Sequence, residues 1–214
     1  MNKFLTVSLS TIMCIVGSNI FAVDNNDSNF SFSKEKRIFY TEKTTKNIEQ
    51  LFIDIQSLYT PLGTNVLDTQ KLCDIAYLYK MKKLLNQAAT GIEKCQASFF
   101  QTQHNTLTQL LDKMSFDDEE RIFITNYLEN DKGDKLLNAY CTIHKSIMKK
   151  AKEFMEFCIN NHGHYRAQNQ QLLFDSTDRL KKSSALLEEI ASLQIKENNF
   201  MNSLRISREE RHFK

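Results

Sequence analysis

Apolar residues recur at alternating steps of three and four along two stretches of the chain. One row is Leu78, Met81, Leu85, Ala88, Ile92, Cys95 and Phe99; the other is Leu137, Tyr140, His144, Ile147, Ala151, Phe154 and Cys158. This spacing draws one continuous apolar seam along each of two helices. Lys82, Lys83, Lys145, Lys149, Lys150 and Lys152 fill the opposite faces. Stripes of this kind read as packing core rather than as cofactor sites. The segment from Asp68 to Asn160 is therefore expected to fold as two long helices turned back on each other, with the rest of the chain arranged around them.

A first helix is expected from about Lys34 to Tyr59, with Ile48, Leu51, Phe52, Ile55, Leu58 and Tyr59 on one face. Pro61 and Gly63 mark the turn after it. Asp68 is the expected N-cap of the long helix that follows, which runs to about Met114. Gly91 inside it costs about 1 kcal/mol against Ala, which a helix tolerates best where another backbone comes close. Ser115 with Asp117, Asp118 and Glu119 reads as another helix start, its acids spread around the axis in the first turn rather than converging on a metal. Asp131-Lys132-Gly133-Asp134 and Asn160-Asn161-His162-Gly163-His164 are the next breaks. A last helix is expected from about Tyr165 to Leu204. Leu173, Leu180, Leu187, Ile190, Met201 and Leu204 lie on its heptad frame, with Leu172, Leu186 and Leu193 beside it. No stretch alternates with the period of a strand over useful length. The fold class expected is all-α, an elongated antiparallel bundle of three long helices plus one shorter helix.

The first residues have a different character. Met1-Asn2-Lys3 is short and positive, Phe4 to Val16 is apolar, and Ile20-Phe21-Ala22 ends on a small residue. That is the layout of a secretory signal peptide cleaved after Ala22, with an uncleaved anchor as the alternative. Residues 23–33 are polar and without period, a disordered leader. The domain plan is thus 1–22 signal peptide, 23–33 leader, 34–204 helical bundle and 205–214 basic tail.

Export changes how the cysteines read. Cys73, Cys95, Cys141 and Cys158 make an even set in an exported chain, which implies two disulfides stapling the bundle. If Cys73 and Cys95 share one helix, 22 residues apart, they stand about 33 Å apart, beyond any disulfide. Cys141 and Cys158 on the other helix are likewise too distant. Bridges must therefore run between the arms. A reversal near Ser115 and Phe116 favours the nested pairs Cys73–Cys158 and Cys95–Cys141. The parallel pairs Cys73–Cys141 and Cys95–Cys158 survive if residues 116–130 form a separate descending helix.

Candidate chemistry is sparse. The chain has no Gly-x-Ser-x-Gly elbow, no phosphate loop, no His-Glu-x-x-His and no Cys-x-x-Cys, and its 5 glycines leave little loop material to enclose a substrate. His162 and His164 flank a glycine, but two ligands alone make a weak metal site. His144 falls in the apolar seam as a core histidine. No catalytic residue, cofactor, metal or small-molecule substrate is expected. The near-even balance of 28 basic and 26 acidic residues, together with export, argues against a nucleic-acid partner. The remaining candidates for function are Phe99, Phe100, Phe116, Phe123 and Tyr127, aromatics crowded near one end of the hairpin and expected to offer a docking patch to a protein partner. The function expected is that of a periplasmic or secreted protein acting through protein–protein contacts, as an accessory or assembly factor of an envelope or secretion apparatus, with a homo-oligomer left open. The alternative is a secreted host-directed effector or adhesin.

Overall fold

The computed structural model describes residues 34–63, 65–113, 115–118, 121–122 and 132–212. The expected signal peptide, the leader, Phe123 and Tyr127 lie outside the described residues. The described residues are mostly helical: α1 (Lys34–Tyr59), α2 (Ile75–Lys113), α3 (Lys132–Asn160) and α4 (Thr177–His212). A two-stranded sheet, β1 (Tyr165–Gln168) and β2 (Gln171–Phe174), stands between α3 and α4, so the fold is not purely helical. Among the described residues no helix is long and apolar enough to cross a membrane.

The start of α2 departs from expectation for a local reason. Asp68 does cap, but its carboxylate accepts from the backbone N–H groups of Gln70 and Lys71 at 3.0 and 3.3 Å, fixing a short 3₁₀ turn over Lys71–Cys73. Asp74 then stands extended, and its carboxylate accepts from the Ala76 N–H at 2.8 Å as the N-cap of α2. Cys73 therefore sits on the 3₁₀ turn and not on the long helix that carries Cys95.

The hairpin is the second correction. Its strands pair antiparallel with Tyr165 opposite Phe174 and Gln168 opposite Gln171. The turn residues Asn169 and Gln170 both have positive φ, 50° and 61°. Two left-handed central residues match the twist of a tight hairpin, a conformation Asn adopts readily and Gln with strain. Tyr165 and Phe174 share the half-buried side, with ring centroids 5.2 Å apart, and Phe157 of α3 meets Phe174 at 5.7 Å. The chain leaves the sheet through Ser176, whose hydroxyl accepts from the Arg179 N–H at 3.3 Å and caps α4.

Contacts divide the chain into two units. The first holds Ile55–Glu93 and Cys141–Phe200 among the described residues; the second holds residues 34–54, Lys94–Tyr140 and the end of α4. In the first, α2 and α3 run antiparallel. Lys82 pairs with Glu156, Lys152 donates to Asn86 and Lys145 pairs with Glu93, each at 3.1 Å. Their facing seams are buried: Leu78, Met81, Leu85, Ala88 and Ile92 against Ile147, Ala151, Phe154 and Cys158. This antiparallel course removes the premise of the parallel cysteine pairing.

Gly91 meets a side chain rather than a backbone. A Cβ there would lie 2.6 and 2.8 Å from the two Leu58 methyls. Gly91→Ala is therefore expected to lose stability while Leu58 is present. In a Leu58→Ala background the same change should gain about 1 kcal/mol from helix propensity. Urea denaturation of the four proteins of this double-mutant cycle checks the change of sign.

In the second unit, Phe52 packs edge-on against Tyr140 at 5.0 Å, and Ile48, Leu51, Phe99, Phe116 and Leu137 are buried. Asn47 donates to Thr106 at 3.2 Å, and Gln96 donates to Asn138 at 2.5 Å.

Candidate functional site

Of the aromatics expected as a patch near Ser115, the three described ones are not exposed. Phe99 and Phe116 are buried, and Phe100 is half-buried with its ring edge-on to Phe99 at 5.4 Å. These side chains serve packing, because a helix end rich in phenylalanine folds them inward when a neighbouring seam is available.

Exposed apolar surface lies instead on α4 of the first unit. The buried positions of that helix are Ser183, Ile190 and Glu197, seven apart, with Leu186 and Leu193 half-buried beside them. Of the expected frame Ile190 is buried, whereas Leu173, Leu180 and Leu187 are exposed at 38, 48 and 36%, and Ile195 reaches 59%. Leu173 is on β2, where helical spacing no longer governs it. Leu180 and Leu187 stay outside because the packed side of the helix is the row of Ser183, Ile190 and Glu197 with Leu186 and Leu193 beside it.

That partner is His144 on α3. Its Nε2 lies 3.3 Å from a Glu197 carboxylate oxygen, with side-chain exposures of only 1 and 5%. Its Nδ1 shares a short hydrogen bond with the Tyr59 hydroxyl at the end of α1, the two rings edge-on at 5.7 Å. Burial lowers His144 to about 4 and raises Glu197 to about 7, both toward the neutral form. Since the two exchange one proton, the pair as a whole holds that proton across the interval between. The grouping brings side chains of three helices to one imidazole. Sequence reasoning identified His144 as a core histidine but missed both partners. A glutamate at a seven-residue spacing from Ile190 was the available signal.

A second grouping surrounds Tyr165. Its hydroxyl donates to the Leu72 carbonyl at 2.6 Å and hydrogen-bonds with the Cys158 thiol. His162 Nε2 donates to the Cys73 carbonyl at 3.1 Å. The 3₁₀ turn bearing Cys73 is thereby tied to the end of α3, close enough for the Cys73 and Cys158 sulfurs to act electrostatically on each other and on Tyr165. Burial pushes the Cys158 thiol up to about 12, so little of it is thiolate at neutral pH and it reacts slowly. No disulfide joins the four cysteines among the described residues, and the expected staples are not part of this structure. Cys95 belongs to the second unit and Cys141 to the first.

His162 and His164 do not converge. While His162 holds Cys73, His164 Nδ1 donates to Asp175 at 2.7 Å across the base of the hairpin, where Arg179 pairs with the other oxygen of the same carboxylate. The hydrogen bond from His164, then Arg179, holds Asp175 below its usual range. Among the described residues no group of three or more His, Cys, Asp or Glu side chains is placed to hold a metal ion. Comparison with protein-family models, with curated proteins and with solved structures finds no match.

Proposed function

We propose that this is an exported binding protein, an accessory or assembly factor of an envelope or secretion apparatus, that engages proteins through a helical surface. The observation that carries this reading is the exposure of Leu180, Leu187 and Ile195 on α4, leucines and an isoleucine left outside a helix that buries a serine and a glutamate. Apolar side chains grouped on one side of a helix mark contact surfaces more than isolated ones do. The leader-like first 22 residues support export, and His144, His162 and His164 are engaged with neighbouring segments of the fold. The disulfides Cys73–Cys158 and Cys95–Cys141 belong to the same proposal, formed as the chain enters an oxidising compartment. The first is favoured by the shared Tyr165 neighbourhood, and the second rests on sequence spacing alone.

Cross-linking and affinity capture of the protein in its native host, beside Leu180→Gln combined with Leu187→Gln, tests the reading. Both side chains are exposed, so the variant should melt as the wild type does while its captured envelope proteins and its function in the host are lost. Full function in that variant overturns the proposal. Release into the medium with binding to host cells replaces the assembly role by the effector role.

A further inference from the structure

We infer that the apolar stripe of α4 is the interface of a symmetric homodimer, in which the helix packs antiparallel against the same helix of a second copy. The inference rests on the reading of α4 as a contact surface and names what covers it. Leu180 and Leu187 are two helical turns apart on one face, and exposed Ala191 continues the row toward Ile195. With a two-fold axis near Ser184, residues 177–191 of the two helices overlap over about 21 Å, a span that takes in Leu180, Leu187 and Ala191. Ser184 and Ala191 within it are small and allow a close approach.

The charges beside the stripe select the partner and its direction. Lys181 and Glu188 are both exposed and flank the leucines on the same side. The midpoint of Leu180 and Leu187 falls between Ser183 and Ser184, and that of Lys181 and Glu188 between Ser184 and Ala185. The two midpoints differ by one residue, about 1.5 Å along the axis. A single two-fold axis there sets Leu180 against the second copy's Leu187 and Lys181 against the second copy's Glu188, each contact made twice. In a parallel two-fold pair the flank that carries Lys181 and Glu188 faces the opposite flank of the other copy, so this lysine–glutamate pairing does not form. The surface is thus complementary to itself in one orientation, which supplies direction as well as attraction.

Sedimentation velocity of the purified protein over about 1 to 100 μM tests this, a range that covers the modest affinity a single helix pair supplies. The wild type should pass from monomer to dimer. Leu180→Gln with Leu187→Gln should remain monomeric with unchanged helical circular dichroism. Lys181→Glu should weaken the dimer at least about tenfold, and Lys181→Glu with Glu188→Lys should restore it, a rescue that general damage to the fold cannot produce. A wild type that stays monomeric throughout, a stripe variant that still dimerises, or a charge exchange that fails to rescue overturns the inference. If the wild type is monomeric yet the stripe variant loses function in the host, the dimer is wrong and the contact-surface reading stands, with a different protein as occupant. Stripe-dependent flotation of a monomer with anionic lipid vesicles would overturn both.

Discussion

Glu197→Gln should lose stability as pH falls below about 6.5, and His144→Gln should lose stability as pH rises above about 4.5, opposite slopes from the two halves of one buried contact. In Glu197→Gln the remaining histidine has a folded pKa lowered to about 4 against 6.5 unfolded. The unfolded chain takes up a proton that the folded protein refuses, so stability present at neutral pH drains away between 6.5 and 4. In His144→Gln the remaining carboxyl has a folded pKa raised to about 7 against 4.5 unfolded. The folded protein then keeps a proton that the unfolded chain gives up, so stability present below 4.5 is lost as pH rises to 7. Each window amounts to about 3 kcal/mol, since one pH unit of differential protonation is worth about 1.4 kcal/mol. The groups facing the imidazole are Tyr59 from α1 and Glu197 from α4. In the wild type the two slopes cancel between 4.5 and 6.5, because folded and unfolded pairs then carry the same number of protons, and stability from this source should be flat. Urea denaturation at half-unit steps from pH 4 to 7.5 measures all three proteins. Parallel curves would show that the contact does not titrate in this way.

The same contact explains where the sequence was legible. The seams of α2 and α3 could be read because Leu, Ile, Met and Phe repeat at three and four with lysines opposite, and hydrophobic burial alone decides their orientation. The bounds of α1 follow from Pro61 and Gly63 in the same way. On α4 that logic points to a frame through Leu173, Leu180, Leu187 and Ile190, of which only Ile190 is buried, in a row shared with Ser183 and with Glu197 beside His144. A pairwise polar contact between residues 53 positions apart leaves no periodic trace in either helix. The hairpin was hidden for a related reason. Its strands have four residues each, too short for alternation to stand out, and its turn carries Asn-Gln in place of the glycine that usually announces left-handed backbone. Aromatic content near a helix end does not by itself report exposure, and Phe99 and Phe116 enter the core.

Oxidation should raise the stability of the folded protein by about 4.5 kcal/mol through Cys73–Cys158 alone, because the bond closes a loop of roughly 85 residues and removes that much chain entropy from the unfolded state. The geometry prepares the site. Tyr165 holds the Leu72 carbonyl and the Cys158 thiol with one hydroxyl, and His162 holds the Cys73 carbonyl, so the two cysteine-bearing segments are already fastened together by neutral hydrogen bonds. Two thiols become one disulfide by giving two electrons and two protons to a disulfide or quinone oxidant. Burial pushes Cys158 up to about 12 and suppresses its thiolate, whereas Cys73 is only half-buried. The exchange should therefore begin at Cys73, form a mixed disulfide there, and end when Cys158 displaces the oxidant. In the reduced folded protein, iodoacetamide should accordingly label Cys73 well before Cys158. Thermal melts of oxidised and reduced protein measure the stabilisation, and Cys73→Ser isolates the contribution of this pair from that of Cys95 and Cys141. A Cys73→Ser protein that keeps the full redox-dependent shift, or mass mapping that finds both Cys73 and Cys158 as thiols after export, would remove this bond from the account.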